Sequence, residues 1–290
     1  MRSPPLERWR IMADGAAEIP RADRLRITVL GCGASPGVPR IGNDWGACDP
    51  SEPKNRRTRS SILIDGFRGD HPYPTRILVD AGPDLRNQML DARVDRLDAV
   101  LFTHPHADHT HGIDDLRSFW LDTHRLVPVY SDDFTQERLE EAFGYCFRTP
   151  TGGSYPPILG RTRIEPGQGF AIDGPGGRLD ILPLRQIHGD IDSLGFRIGD
   201  FVYSSDISAI PDETLPHLAN LSVWMVDALR WRPHPSHFSV DDTLGWHERL
   251  RPRRTILTHM HGDLDYATLV ARVPGDVEPA YDGMVVNLGL

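Results

Sequence analysis

Leu97-Asp98-Ala99-Val100-Leu101-Phe102-Thr103-His104-Pro105-His106-Ala107-Asp108-His109 is the run on which the fold and chemistry of this 290-residue chain turn. Its first half is apolar and reads as a strand. Its second half sets three histidines and an aspartate within six positions. Imidazole and carboxylate are the ligand types that hold zinc, manganese or iron. His104 and His106 are two apart, so on extended backbone both side chains project to one side. Asp108 and His109 follow as the chain turns into its next element. A strand that delivers two ligands and a turn that delivers two more can serve two neighbouring metal ions. The bland alternative is a His-rich surface turn, and four ligand-type side chains at a strand end argue against it.

Working outward, the composition is that of an ordinary globular protein long enough to bury a sizeable core. Hydrophobic residues make up 39% and charged residues 25%, and the formal charge of -9 argues against a broad nucleic-acid surface. The three cysteines, Cys32, Cys48 and Cys146, are widely spaced without a CxxC, which fits a reducing cytoplasm rather than a disulfide framework. No stretch approaches the roughly 18 apolar residues of a membrane span. Residues 1–24 are polar, lack the apolar core of a secretory signal, and are expected to form a partly disordered extension. Residues 25–290 are expected to form a single domain.

Strands are expected over residues 25–30, 61–65, 76–80, 97–102, 127–130, 222–226 and 255–258, with several short ones between 163 and 204. Helices are expected over 83–92, from a cap at Ser131 to 146, over 211–219, and from Ser239 to Leu250. Residues 112–124 read as helix or irregular structure. Residues 34–59 and 148–160 are rich in Pro and Gly and read as long loops. The pattern implies two mixed sheets in one unit, with helices outside.

Four further positions share the context of the motif, an apolar strand followed at once by a ligand-type residue: Asp80, His188, Asp206 and His259. Each alone is weak, because a single histidine after a strand is more often a surface residue. In this order, together with HxHxDH, the set resembles the metallo-β-lactamase superfamily of hydrolases. The resemblance runs from Arg26 to about Asp265. It implies an α/β fold, a four-layer αββα sandwich of two mixed β-sheets with outer helices. It also implies that His104, His106 and His188 hold one metal, that Asp108, His109 and His259 hold a second, and that Asp206 bridges. Asp80 would orient a ligand histidine from behind.

An aspartate at the bridging position, with no cysteine there, looks like the phosphodiesterase and glyoxalase II branches. Residues 30–39 (LGCGASPGVP), residues 57–61 (RTRSS) and His237-Phe238-Ser239-Val240 are similar to the phosphodiesterase branch. That branch includes the tRNA 3′-processing endonuclease and the phosphoribosyl 1,2-cyclic phosphate phosphodiesterase. The second of these carries a Cys-x-Cys-x-x-Cys zinc cluster in its first loop. Here the run is Asn43-Asp44-Trp45-Gly46-Ala47-Cys48, so a three-thiolate zinc site cannot form and the loop must be held otherwise. The basic exosite of the tRNA endonuclease is not evident either, since residues 148–160 carry one arginine and no lysine.

Two ions sharing a water would lower its pKa, so that a metal-bridging hydroxide attacks phosphorus while both metals neutralise the developing charge. Asp108 belongs to that reaction centre. His237 matches a histidine of the related phosphodiesterases and is the candidate acid for the leaving group. The expected activity is hydrolysis of a small cyclic phosphate or nucleotide-like phosphodiester, with Zn²⁺ or Mn²⁺, or iron, as cofactor. A glyoxalase II-type thioester hydrolase is the alternative, and a catalytically silent metal-binding protein is disfavoured by the intact ligand series. Relatives often pair, which leaves a homodimer open without fixing the oligomeric state. His261 could face the same cleft, but an exposed turn histidine is the stronger reading, and His111 is equally ambiguous. Arg56, Arg57 and Arg59 could meet a substrate phosphate, but a basic run is usually a solvated face.

Overall fold

The computed structural model describes residues 19–290. The 1–24 segment therefore lies outside the described residues as far as residue 18. Beyond it, Ala22 is buried and donates its N–H to the Arg178 carbonyl at 3.0 Å. The first strand opens at Arg24.

Among the described residues, one seven-stranded sheet is built from β1 (Arg24–Gly31), β2 (Ser61–Phe67), β3 (Thr75–Val79), β4 (Ala99–Leu101), β5 (Val127–Ser131) and β6 (Leu159–Arg163), with a late strand on its edge. The second is built from β7 (Phe170–Ile172), β8 (Leu179–His188), β9 (Ile191–Ile198), β10 (Phe201–Ser204), β11 (Val223–Asp227), β12 (Thr255–Thr258) and β13 (Val277–Pro279). The late strand, β14 (Val285–Gly289), returns to pair antiparallel with β1. The helices are α1 (Leu85–Asp91), α2 (Ala107–Thr110), α3 (Arg117–Thr123), α4 (Asp133–Phe147), α5 (Val240–Leu250) and α6 (Tyr266–Val270).

Each sheet is antiparallel in one half and parallel in the other. In the first, β14-β1-β2-β3 are antiparallel and β3 to β6 parallel. In the second, β7-β8-β9-β10 are antiparallel and β10 to β13 parallel. Parallel strands end together at one edge, and β8, two antiparallel steps from β10, runs the same way.

The central strands are apolar on both faces, as a sheet covered on both sides requires. Ile77 and Val79 of β3 face the other sheet, and Leu78 between them faces α1 through Leu85 and Met89. Val223 and Met225 of β11 likewise join the core between the sheets, while Trp224 and Val226 pack with Trp246 and Leu250 of α5. The order is thus helix, sheet, sheet, helix, the expected αββα sandwich.

Local departures have local causes. Residues 211–219 hold only a 3₁₀ turn, Leu215–Leu218, because Pro211 and Pro216 interrupt the hydrogen-bonding run of an α-helix. α4 is capped by Asp132, whose carboxylate accepts from the Thr135 N–H, whereas Ser131 ends β5 and donates to Gln136. Ser239 does cap α5, in a capping box with Asp242.

The long loop before β2 is held without thiolates. Arg57 is only 1% exposed, so it is not part of a solvated face. Its guanidinium donates to the carbonyls of Leu264 (2.6 Å) and His261 (3.3 Å). Asn55 donates to Asp265 at 2.7 Å and accepts from the Tyr266 N–H at 2.7 Å. The Cys48 thiol points at the Gly262 carbonyl at 3.4 Å. The loop is thereby fastened to the segment that follows β12, which begins with His259. Arg56 lies over Trp45, and Arg59 is paired with Asp84 at 2.8 Å.

Candidate metal centre

The strand ends bring the candidate residues to one edge. Asp80 follows β3, His104 and His106 follow β4, His188 closes β8, Asp206 follows β10, and His259 follows β12. Asp80, Asp206 and His259 each adopt a left-handed backbone (φ 66°, 50° and 55°). Non-glycine residues adopt it at some cost, and it turns each side chain out of its strand direction at the same level. His106 is the N-cap of α2, and Asp108 and His109 sit in its single turn. Gly189 follows His188 at φ 61°, and a Cβ there would lie 2.7 Å from Ser236. That space lets the Ser236 carbonyl accept from His188 Nδ1 at 2.6 Å.

Two clusters result. His104, His106, His188 and Asp206 converge in one, and Asp108, His109, Asp206 and His259 in the other, with ligand atoms within 4.8 Å of one another and Asp206 shared. His106 Nδ1 lies 3.0 Å from His104 Nε2 and 3.2 Å from His188 Nε2. Asp206 Oδ1 lies 3.1 Å from both His109 Nε2 and His259 Nδ1.

The donor chemistry fits cations. His188 donates its Nδ1 proton to Ser236, and His109 donates its own to Asp80 Oδ2 at 2.7 Å, so in each ring Nε2 is the nitrogen left to face the cluster. The Nε2 atoms of His109 and His259 are buried with no hydrogen-bond partner. Imidazole nitrogens and carboxylate oxygens that converge in this way make up the donor set of a divalent metal ion. Asp80 also accepts from the Thr103 N–H at 2.8 Å, so it is fixed by the motif it serves.

The electrostatics divide the clusters. Burial pushes His104 well below the usual imidazole range and His188 down to about 4, which keeps both rings neutral. Burial acts the same way on His109, but Asp206, Asp108 and Asp80 outweigh it and hold its pKa well up. Asp206 is buried too, yet His109, His259 and His104 hold its carboxyl well below the carboxylate range. Burial alone dominates at Asp80 and raises it.

His237 lies against the clusters. Its ring stacks on His259 at 4.9 Å and meets His188 edge-on at 4.6 Å. Its Nδ1 is 2.7 Å from Asp227 Oδ2. Burial opposes the charged ring, but Asp227 prevails and raises it to about 8.

The sequence pattern of the beta-lactamase superfamily domain matches residues 75–260, the span from β3 to just past His259. The chain belongs to the metallo-β-lactamase superfamily. A solved diphosphatase from the PhnP family is 32% identical with a TM-score of 0.81, over 92% of this chain and 98% of that one. Human tRNase Z, short form, shares the fold at 16% identity and a TM-score of 0.62, over 90% of this chain and 98% of its own. The octanoyltransferase of Porphyromonas gingivalis (strain ATCC BAA-308 / W83) is 33% identical over 265 residues, 90% of this chain and 51% of that protein. The chain therefore spans about half the length of that curated relative.

Within this metallo-β-lactamase site, three contributors could not be assigned from the sequence read alone. Asp227 ends β11 as Asp206 follows β10, a position that left it open between orienting a ligand and a structural part, and its contact with His237 gives it a role at the site. Ser35, inside the first glycine-rich loop, donates to Asp108 at 2.9 Å. Thr103 is wedged between Asp80 and His104. His111 is exposed and lies edge-on to Phe143 at 5.4 Å, and His261 sits beside Asp263 at 3.3 Å, so neither joins the clusters.

Proposed function

We propose that this chain is a metal-dependent phosphohydrolase acting on a small phosphodiester or nucleotide-like substrate. The observation that carries the reading is the pair of His/Asp clusters sharing Asp206, in a chain that matches a diphosphatase over nearly its whole length. In a diphosphate joining two organic groups each phosphorus is disubstituted, by one ester and one anhydride oxygen, as a phosphodiester is by two ester oxygens, so the same metal-activated water could attack either.

His104, His106 and His188 would hold one divalent ion and Asp108, His109 and His259 the other, with Asp206 between them. Ions held there would supply positive charge to the phosphoryl oxygens and an activated water. The protein's own part is orientation. Asp80 fixes His109 through Nδ1, the Ser236 carbonyl fixes His188, and Ser35 fixes Asp108. His237, its Nδ1 engaged by Asp227, has Nε2 left to give a proton to the leaving oxygen.

A second reading, hydrolysis of an acyl thioester, needs the same ligands and is favoured by one observation, the match to half of a protein named octanoyltransferase. Side-by-side assays separate the two. The protein loaded with Zn²⁺ or Mn²⁺ is given bis(4-nitrophenyl) phosphate, a dinucleoside diphosphate, a glutathione thioester and an octanoyl thioester. Turnover of the phosphorus substrates supports the proposal, and turnover of thioesters alone overturns it.

A further inference from the structure

Phe134 is the second residue of α4, and it is 42% exposed. It belongs to none of the three hydrophobic clusters, whereas Phe143 and Phe147 of the same helix pack beneath the first sheet. One turn on, the Arg138 guanidinium lies over the Phe134 ring, 5.8 Å from its centroid, and pairs with Glu141 at 2.8 Å.

These side chains border an open cavity of about 550 Å³, lined by Phe134, Arg138 and Ala142 from α4, by Pro105 and His106 from the metal motif, and by Ile191. Ile191 is the partner of His188 across the β8–β9 turn. The cavity therefore adjoins the first metal cluster, and His106 belongs to both. Its size is that of a small-molecule site. Its apolar members offer flat contact, and an exposed aromatic ring beside an arginine is the arrangement on which nucleic-acid bases stack. Arg138 offers donors and Glu141 acceptors to a base edge.

We propose that this cavity is a base subsite. It takes the planar aromatic base of a nucleotide-like substrate whose phosphate lies at the metal centre, with Phe134 as the stacking surface and Arg138 as a specificity-determining residue. The proposal rests on the phosphohydrolase reading for the phosphate end and deepens it at the other.

The test compares two probes with the same phosphate, adenosine 5′-monophosphate and ribose 5-phosphate, titrated calorimetrically into the metal-loaded protein. The wild type is expected to bind the nucleotide about tenfold more tightly. Phe134→Ala should erase that preference while leaving ribose 5-phosphate binding unchanged, and Phe134→Tyr should keep it. Phe134 is exposed, so its truncation leaves no buried void, and unchanged ribose 5-phosphate binding checks that the fold is intact. Equal affinity of the wild type for both probes overturns the proposal, as does binding of neither. So does a Phe134→Ala variant that weakens both equally, or one that changes oligomeric state without changing the preference. A base preference that persists in a protein hydrolysing no phosphodiester supports the subsite and refutes the phosphohydrolase reading separately.

Discussion

His106 differs from the other clustered residues in being exposed, while Asp108, at 6%, is the most accessible of the rest. Its removal leaves no buried void, so structure and metal binding can be separated there. His106→Ala is expected to abolish hydrolysis and lower metal content while the circular dichroism spectrum and folding cooperativity stay those of the wild type. Metal analysis beside an assay checks it, and full activity in the variant would refute the site. His237 makes the opposite case. It touches His188 and His259 only by ring contacts and is held by Asp227. His237→Ala should slow turnover by roughly 10²–10⁴-fold, the usual contribution of a positioned acid, with both metals retained. Loss of metal instead would make it a ligand.

At the scale of elements, the first long loop and the segment after β12 are one unit. Arg57 ties them through buried carbonyls of Leu264 and His261. Arg57→Ala leaves those acceptors unpaired and should cost about 2–3 kcal/mol in urea denaturation. Arg57→Lys should recover little, because one ammonium cannot reproduce the guanidinium fork. A loss within experimental error would show that the loop is held elsewhere. Asp265 adds a pH dependence. Slight burial pushes its pKa up, but hydrogen bonds from the Thr268 and Asp49 N–H groups and from Asn55 outweigh this and bring it to about 2. A carboxyl depressed on folding stabilises the protein above its unfolded pKa of about 3.9, and that contribution fades as pH falls toward the folded value. Asp265→Asn should therefore narrow the stability difference between pH 5 and pH 2 in denaturant titrations. An unchanged acid limb would contradict it.

At the scale of the molecule, the core between the sheets and the two outer cores are built from residues that do not include the clustered ligands. Burying a large aliphatic or aromatic side chain contributes about 1.5–3 kcal/mol before entropy is counted, so the sandwich is expected to fold without metal. Chelation should lower the melting temperature, in line with about 2.7 kcal/mol for a ligand present at a hundredfold its dissociation constant. The far-ultraviolet spectrum should remain. Complete unfolding on chelation would show that the centre is part of the fold's stability.

The sequence by itself determined two mixed sheets with outer helices and the ligand-type residues at strand ends, because those signals are local, and the order of those residues carried the resemblance that implied the αββα layering and the clustering from His104 to His259. It could not foresee β14 on the edge of the first sheet, since pairing with β1 spans the whole chain. Only the tertiary structure showed that Arg57 and Asn55 tie the long loop to the segment after β12, that Asp227 serves His237, and that Phe134 lines a cavity shared with His106. Each of those roles is a contact between residues far apart in the chain. A side chain's type is written in the sequence, but its partner is chosen by how the sheets and helices pack.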